Sequence, residues 1–266
     1  MRMASARRPR RSPCLSATLE HHAAAFPQNL ATSPVANFAV GDVHGHFSRL
    51  RQSLDRLGFD PALDRLFSVG DMVDRGPENE QVLDWLRQPW FHAVQGNHED
   101  YAIRHVRSGK VDQMNWRGYG GGWFLDLPEE RQREYAQAFE ALPVAIEVET
   151  RDGAVGLVHA DCPVLFWPRL EEALRDRYKR TSAVCQWSRD RLRLVDRAGV
   201  LGVRAVVAGH TPVAEPLLLG NVYHIDTEGW KDGYFTFLDL ESLQAWPRAM
   251  VTEPESLDGE AGQAQA

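Results

Sequence analysis

Near its start this sequence repeats one pattern three times, and that pattern limits the chain to few folds: a short apolar run, then a glycine-containing polar cluster. Apolar runs at 36–40, 66–69 and 90–94 read as strands, and the stretches 47–57 and 78–86 between them read as helices. Strands and helices in this alternation predict an α/β fold, with parallel strands and helices packed on the sheet. The clusters are Gly41-Asp42-Val43-His44-Gly45-His46, Gly70-Asp71-Met72-Val73-Asp74-Arg75-Gly76 and Gln95-Gly96-Asn97-His98-Glu99. Parallel strands present their carboxyl ends along one edge of a sheet, where open α/β folds bind ligands. All three clusters are therefore expected to converge on one site.

The second half predicts helices over 129–142 and 181–198, and strands over 144–149, 155–158, 205–208, 222–225 and 233–240. Two of these strands also end in histidine clusters, His159-Ala160-Asp161 and Gly209-His210-Thr211. The strand-end donors are then Asp42, His44, Asp71, Asn97, His159 and His210, a set of oxygens and imidazoles without a thiolate. Such donors suit borderline divalent metals such as manganese, iron or zinc. Six are more than one open catalytic ion needs, and they suit two ions that share a carboxylate, roughly 3.5 to 4 Å apart. A single Asp after a strand is ordinarily a turn residue and a lone His a satisfied polar group. Five such clusters in one chain are not explained as five independent turns.

Composition narrows the partners. The 266 residues are 43% hydrophobic and 25% charged, as in an ordinary globular domain, and mean hydropathy is −0.40. No apolar run reaches the roughly 18 to 20 residues of a membrane-spanning helix, so no membrane association is expected. Residues 1–34 hold five Arg against one Glu, which leaves 25 basic and 36 acidic residues in the rest of the chain. A body that acidic argues against nucleic acid as a partner. Cys14, Cys162 and Cys185 are scattered singly, which fits a reducing cytoplasm. The Arg-rich opening, with Pro at 9, 13, 27 and 34, is read as a disordered extension over 1–34, although it shares features with an organelle transit peptide. The catalytic domain is expected over 35–250 and a disordered acidic tail over 251–266. Nothing in the sequence fixes an oligomeric state.

In order, the chain carries GDVHG, GDMVDRG, GNHE, His159 after a strand, and GHT, and so it resembles the phosphoprotein phosphatase family of metallophosphoesterases. Asn115-Trp116, Gly120-Gly121-Gly122-Trp123-Phe124, His159-Ala160-Asp161 and Gln186-Trp187-Ser188-Arg189 bring it nearest to the small bacterial and phage serine/threonine phosphatases. The resemblance covers residues 36 to about 240. It implies a central β-sandwich flanked by helices, with the metal site at the carboxyl ends of the strands. It also implies that Asp42 and His44 hold a first metal, that Asp71 bridges, and that Asn97, His159 and His210 complete a second, with Mn²⁺ the expected ion and Fe or Zn its rivals. His98 would be the general acid, Asp74 its orienting partner, and Arg75 and Arg189 the phosphate clamp. Arg189 stands among Arg175, Arg177, Arg180, Arg191 and Arg193, so it also reads as one charge on a solvated basic helix.

The implied activity is hydrolysis of phosphoserine or phosphothreonine in proteins by direct attack of a bridging metal-bound hydroxide, with no phosphoenzyme. Two alternatives stand beside it: a symmetrical diadenosine tetraphosphate hydrolase, whose members tend to replace the Asp of the VDRG segment, and a non-catalytic metal or phosphopeptide binder. Trp116, Tyr119 and Trp123, in an expected loop over 105–130, either wall the pocket or pack as ordinary aromatics. Where related enzymes commonly have Asp-Thr-Gly this chain has Asp226-Thr227-Glu228-Gly229, which puts a carboxylate near an anion site. His46 is read as a polar residue at a helix start.

Overall fold

The computed structural model describes residues 36–252. The extension expected over 1–34 lies outside them, as does the tail from residue 253 onward. Ordered backbone extends past the expected boundary at residue 250, because Val251 donates to Pro216 O and accepts from the Leu218 N–H, both at 2.8 Å.

A first sheet has the order β10-β9-β1-β2-β3. Its strands are β1 (Asn37–Val40), β2 (Arg65–Ser68), β3 (Phe91–Ala93), β9 (Phe237–Asp239) and β10 (Ala245–Trp246). Asn37 stands opposite Arg65 and Leu66 opposite Phe91 in two parallel ladders, and β9 closes the free edge of β1 antiparallel. The second sheet, β4-β5-β6-β8-β7, comprises β4 (Ala145–Val148), β5 (Val155–Val158), β6 (Ala205–Ala208), β7 (Leu217–Leu219) and β8 (Val222–His224). Here β5, β6 and β8 run parallel, with Val155 opposite Ala205 and Val206 opposite Val222.

These strands are near-continuous apolar runs because both of their faces are covered. Ala39, Phe67 and Leu238 of the first sheet pack against Ile146, Leu157 and Val207 of the second, which makes a β-sandwich. The outer face of the first sheet carries Val40, Leu66 and Phe91 against Phe47, Leu50 and Leu54 of α1 (Phe47–Leu57) and Trp85 of α2 (Val82–Leu86). Gly58, at φ 79°, ends α1 in the left-handed conformation that glycine adopts freely. Across the other outer face Val158, Val206 and Val222 meet Leu170, Leu174 and Cys185 of α7 (Leu170–Trp187). Between β3 and β4 lies a helical stretch not expected from the sequence: α3 (Asn97–Ser108), α4 (Gln113–Gly118) and α5 (Gly122–Leu125), followed by the expected α6 (Glu129–Glu140). The anticipated loop over 105–130 is thus largely helix. Among the described residues no helix is long and apolar enough to cross a membrane.

Two expected boundaries are corrected. The helix expected over 181–198 is α7, which starts eleven residues earlier and stops at Trp187, because Ser188 is extended (φ −71°, ψ 134°) and its hydroxyl accepts from Asp190 N–H at 3.3 Å. Only a single turn, α8 (Asp190–Arg193), follows it. The strand expected over 233–240 shrinks to β9, since Gly233 and Tyr234 donate instead to Glu228 O and Thr227 O.

His224 on β8 is buried with neither ring nitrogen hydrogen-bonded, and burial, helped by Arg191, pushes its pKa from 6.5 down to about 3. The folded chain thus keeps this ring neutral where the unfolded chain protonates it. Its contribution to stability is whole above about pH 6.5 and is lost as pH falls toward 3. His224→Leu should therefore lose about 2 kcal/mol less stability than the parent between about pH 7 and pH 5 in urea unfolding. Equal losses in the two proteins would refute this origin of acid sensitivity.

Candidate metal centre

The loops after β1, β2, β5 and β6 meet the start of α3 at one end of the sandwich. They bring together Asp42, His44, Asp71, Asn97, His98, His159 and His210, each at most 6% exposed. Asp71 is the hub. Its Oδ2 lies 3.8 Å from Nε2 of both His44 and His98, and its Oδ1 lies 3.3 Å from His159 Nε2. Asp42 Oδ2 is 3.8 Å from His44 Nε2, while Asn97 Oδ1 and His210 Nδ1 are 2.9 and 3.1 Å from His159 Nε2. Two clusters of potential donor atoms result, His44-Asp71-His98 and Asp71-His159-His210, and Asp71 belongs to both.

Backbone carbonyls orient the imidazoles. His44 Nδ1 donates to Val73 O and His159 Nδ1 to Val69 O, both at 2.8 Å, and His210 Nε2 donates to Trp187 O at 3.3 Å. With one ring N–H taken by a carbonyl, the opposite nitrogen turns its lone pair inward, as in histidines that ligate metals. His44 Nε2 is buried without a hydrogen-bond partner. Around His159 Nε2 stand only acceptors: the Asn97 amide oxygen, the Asp71 carboxylate and the inward nitrogen of His210. Lone pairs gathered this closely repel unless a cation lies among them, either a metal ion or a proton on His159, whose pKa, against burial, Asp71 raises to about 9. These donors fit a pair of borderline divalent ions that share Asp71.

Electrostatics lead to the same fit. Burial, reinforced by Asp226, pushes the Asp42 carboxyl well above its usual range. Burial also raises Asp226, to about 6. Burial would raise Asp71 too, but the charges of His159 and His98 override it and hold that carboxyl well below the usual range. Three buried carboxylates in one place cannot all ionise unaided, and a dication supplies the missing counter-charge.

The local backbone is unusual. His44, Asp71, Asp74, Arg75 and His210 are all left-handed, at φ 44°, 49°, 71°, 67° and 67°. Such residues persist only where their surroundings over-determine them. Glu99, fully buried, supplies that here: its carboxylate accepts from the N–H groups of Asp71 and Met72 at 2.9 Å and from Gly96 at 2.8 Å. The His98 N–H at the start of α3 donates to Asp71 Oδ1 at 2.9 Å, which sets that anion on a helix N-terminus. A Cβ on Gly70 would lie 2.9 Å from His159 Nδ1, and one on Gly209 only 2.2 Å from Asp42 Oδ1. Glycine is required at both points of approach.

Beside the hub, His98 Nδ1 is 2.6 Å from Asp74 Oδ2. Asp74 also accepts from Trp116 Nε1 at 2.7 Å and from Trp123 Nε1 at 2.6 Å. Both tryptophans are therefore structural donors to this carboxylate, while Tyr119 is 49% exposed. Burial would lower the His98 pKa, but Asp71 and Asp74 raise it. What separates His98 from His44 and His159 is its Nδ1, which faces the Asp74 carboxylate and not a backbone carbonyl, so that the ring is supported as a proton donor.

Arg75 is exposed and its guanidinium lies 4.2 Å over the ring of Trp230. Trp230 also meets His44 edge-on at 5.0 Å and donates to Asp226 Oδ1 at 3.3 Å. Sequence reasoning overlooked Trp230, although a tryptophan within the polar stretch Asp226–Asp232, where no core demands one, was a usable signal. Arg189 is not on a solvated helix: it stands between α7 and α8, exposed, with Nη1 3.2 Å from Thr211 Oγ1. Arg191, expected on the same solvated face, is buried and pairs with Asp161 at 2.7 Å, which pins α8 beside the site. Glu228 sits 3.7 Å from Lys231, which offsets its charge, and His46 stands just before α1 with its ring on His44 O.

The Calcineurin-like phosphoesterase family profile matches residues 38–214. Serine/threonine-protein phosphatase 1 of Salmonella typhimurium is 34% identical over 212 residues, covering 77% of this chain and 91% of the relative. A symmetrical bis(5'-nucleosyl)-tetraphosphatase of Methylococcus capsulatus is 34% identical over 131 residues, but these are 48% of this chain and 44% of that protein. The fold is shared with a protein serine/threonine phosphatase from Saccharomyces cerevisiae at TM-score 0.55 and 18% identity, covering 82% of this chain and 77% of that one.

If Asp71 is shared by two ions, Asp71→Asn should reduce bound Mn²⁺ from about two ions per chain to well under one. His98→Ala should leave the content nearly unchanged. Elemental analysis after dialysis checks both, and full metal loading of Asp71→Asn would remove the bridging role.

Proposed function

Because the chain belongs to the calcineurin-like phosphoesterase family, and is thus a hydrolase with a divalent metal centre, we propose that it dephosphorylates phosphoserine and phosphothreonine in proteins. The observation that carries this reading is the Asp74–His98 pair, held by two indole N–H groups beside the shared carboxylate Asp71. A module that only bound metal or phosphopeptide would have no use for such a proton donor. Likeness to a bacterial serine/threonine phosphatase over most of both chains supports the phosphoprotein substrate, whereas likeness to the tetraphosphatase stops at half of this chain.

In this reading Asp42, His44, Asp71, Asn97, His159 and His210 hold two divalent ions, with manganese favoured over iron or zinc. When bound, the ions would offset phosphate charge and acidify a water molecule for attack. Arg75 and Arg189 grip the non-bridging phosphate oxygens and hold the phosphorus in line. His98 keeps a proton on Nε2 and passes it to the departing seryl or threonyl oxygen. Asp74 fixes the tautomer through Nδ1 and stabilises the imidazolium. Trp230 holds the Arg75 guanidinium flat, so that the clamp is ordered before substrate arrives.

Cysteine chemistry does not compete with this route. Burial pushes the Cys162 thiol up to about 11 and Cys185 well above its ordinary value, so neither is a thiolate near neutral pH. Two buried free thiols also fit a cytoplasmic site of action.

The test is hydrolysis of para-nitrophenyl phosphate, a phosphothreonine peptide and diadenosine tetraphosphate by chelator-stripped protein, with and without Mn²⁺. Metal-dependent turnover of the phosphopeptide is expected; faster attack on the dinucleotide would transfer the chain to the other branch. His98→Ala should lower kcat for the peptide by about 10² to 10⁴. Trp230→Ala should raise KM about 3- to 30-fold with a smaller change in kcat, and Trp230→Phe, which keeps a ring face, should recover most of it. An unchanged KM in Trp230→Ala would show that the stacking does not order the clamp.

A further inference from the structure

A cavity of about 790 Å³ opens where the candidate phosphate clamp ends. Arg189 and Thr211, joined at 3.2 Å, line it on the side of the candidate centre, since Thr211 directly follows His210. From there its walls turn apolar: Leu192, Val213, Leu217, Leu219 and Met250. Leu192, Leu217 and Leu219 form a small core cluster of their own, apart from the three larger ones, with Val213 packed on it. The Glu215 carboxylate, also in the lining, is already engaged by the Tyr234 hydroxyl at 2.6 Å and by Arg248.

We propose that this groove is a substrate subsite, which takes an aliphatic or aromatic side chain from the polypeptide flanking the phosphorylated residue. It rests on the protein-phosphatase reading above. The size is right, since 790 Å³ lies within the range of ligand pockets and, at about 9 Å across, admits two to three residues of extended chain. Its chemistry selects a side chain over a nucleoside. No aromatic ring lines it to stack on a base, its one carboxylate is tied up, and Arg193 in its lining is paired with Asp190, so a base would find little to stack on or bond to. Its position completes the case: a phosphate gripped by Arg189 leaves the neighbouring residues of a peptide at the groove. Phosphate binding is common to every phosphomonoester, and the groove would make the chain choose among phosphoproteins by an apolar neighbour.

The residues that follow Thr252, EPESLDGEAGQAQA, contain one large apolar residue, Leu257, and are the other conceivable occupant. The test uses the full-length chain loaded with Mn²⁺ and heptapeptides with central phosphothreonine, each carrying Leu or Ser at one flanking position, and para-nitrophenyl phosphate as reference. At one or two positions Leu should raise kcat/KM about 10- to 100-fold over Ser. Val213→Ser and Met250→Ser, both at half-buried positions, should bring that ratio to about 1 and leave aryl phosphate turnover unchanged, which also reports intact folding. Peptides hydrolysed equally well with Leu or Ser at every position would overturn the groove alone. Aryl phosphate turnover with no peptide turnover would remove the protein-phosphatase reading and the groove with it. If Leu257→Ser raises peptide turnover and no Leu preference appears, the chain's own tail is the occupant and the assignment to substrate is wrong.

Discussion

The centre depends on one buried carboxylate that touches no candidate ligand atom. Glu99 accepts the N–H groups of Asp71, Met72 and Gly96, and so ties the loop after β2 to the first turn of α3. Burial, and then the nearby charge of Asp71, raise its pKa to about 7, against the pull of those N–H groups. Without this tie Asp71 would have no reason to keep a left-handed backbone, and the two donor clusters would lose the residue they share. A carboxylate that takes three main-chain N–H groups is among the stronger devices for fixing a loop, because each bond is charge-assisted and shielded from water.

Around that tie the work is divided between layers. The sandwich provides the candidate ligands, each in a loop that follows a strand, where the ladder stops and the chain must turn. Helices between β3 and β4 provide no candidate ligand beyond Asn97; they deliver the indole N–H groups of Trp116 and Trp123 to Asp74. In the proposed mechanism charge stabilisation and proton delivery meet at His98, which lies 3.8 Å from Asp71 and edge-on to His44.

Much of this was legible in the sequence because it is local. The strands at 36–40, 66–69 and 155–158 and the helix at 47–57 follow from periodicity, and a glycine beside every donor except His159 marks where backbone must come close. Long-range information was harder to read. That Trp116 and Trp123 serve Asp74, more than forty positions away, is fixed by how α4 and α5 pack, and no spacing rule encodes it. Arg191 looks from its neighbours like a solvated charge, yet Asp161 and the carbonyls of Asp196 and Ala198 bury it. The early stop of α7 turned on one serine whose hydroxyl competes for a backbone N–H. Trp230 was missed because its partners come from the loops after β1 and β2, which topology alone brings to it.

The left-handed residues of the site have a consequence for how such a chain can change. Each of His44, Asp71, Asp74, Arg75 and His210 holds a conformation that glycine would adopt at about 1 to 2 kcal/mol less cost. The substitutions that would most relax this backbone are therefore the ones that delete its chemistry. A search for sturdier variants, blind to turnover, would drift toward an inert and more stable protein. Durability and catalysis pull on the same five positions in opposite directions.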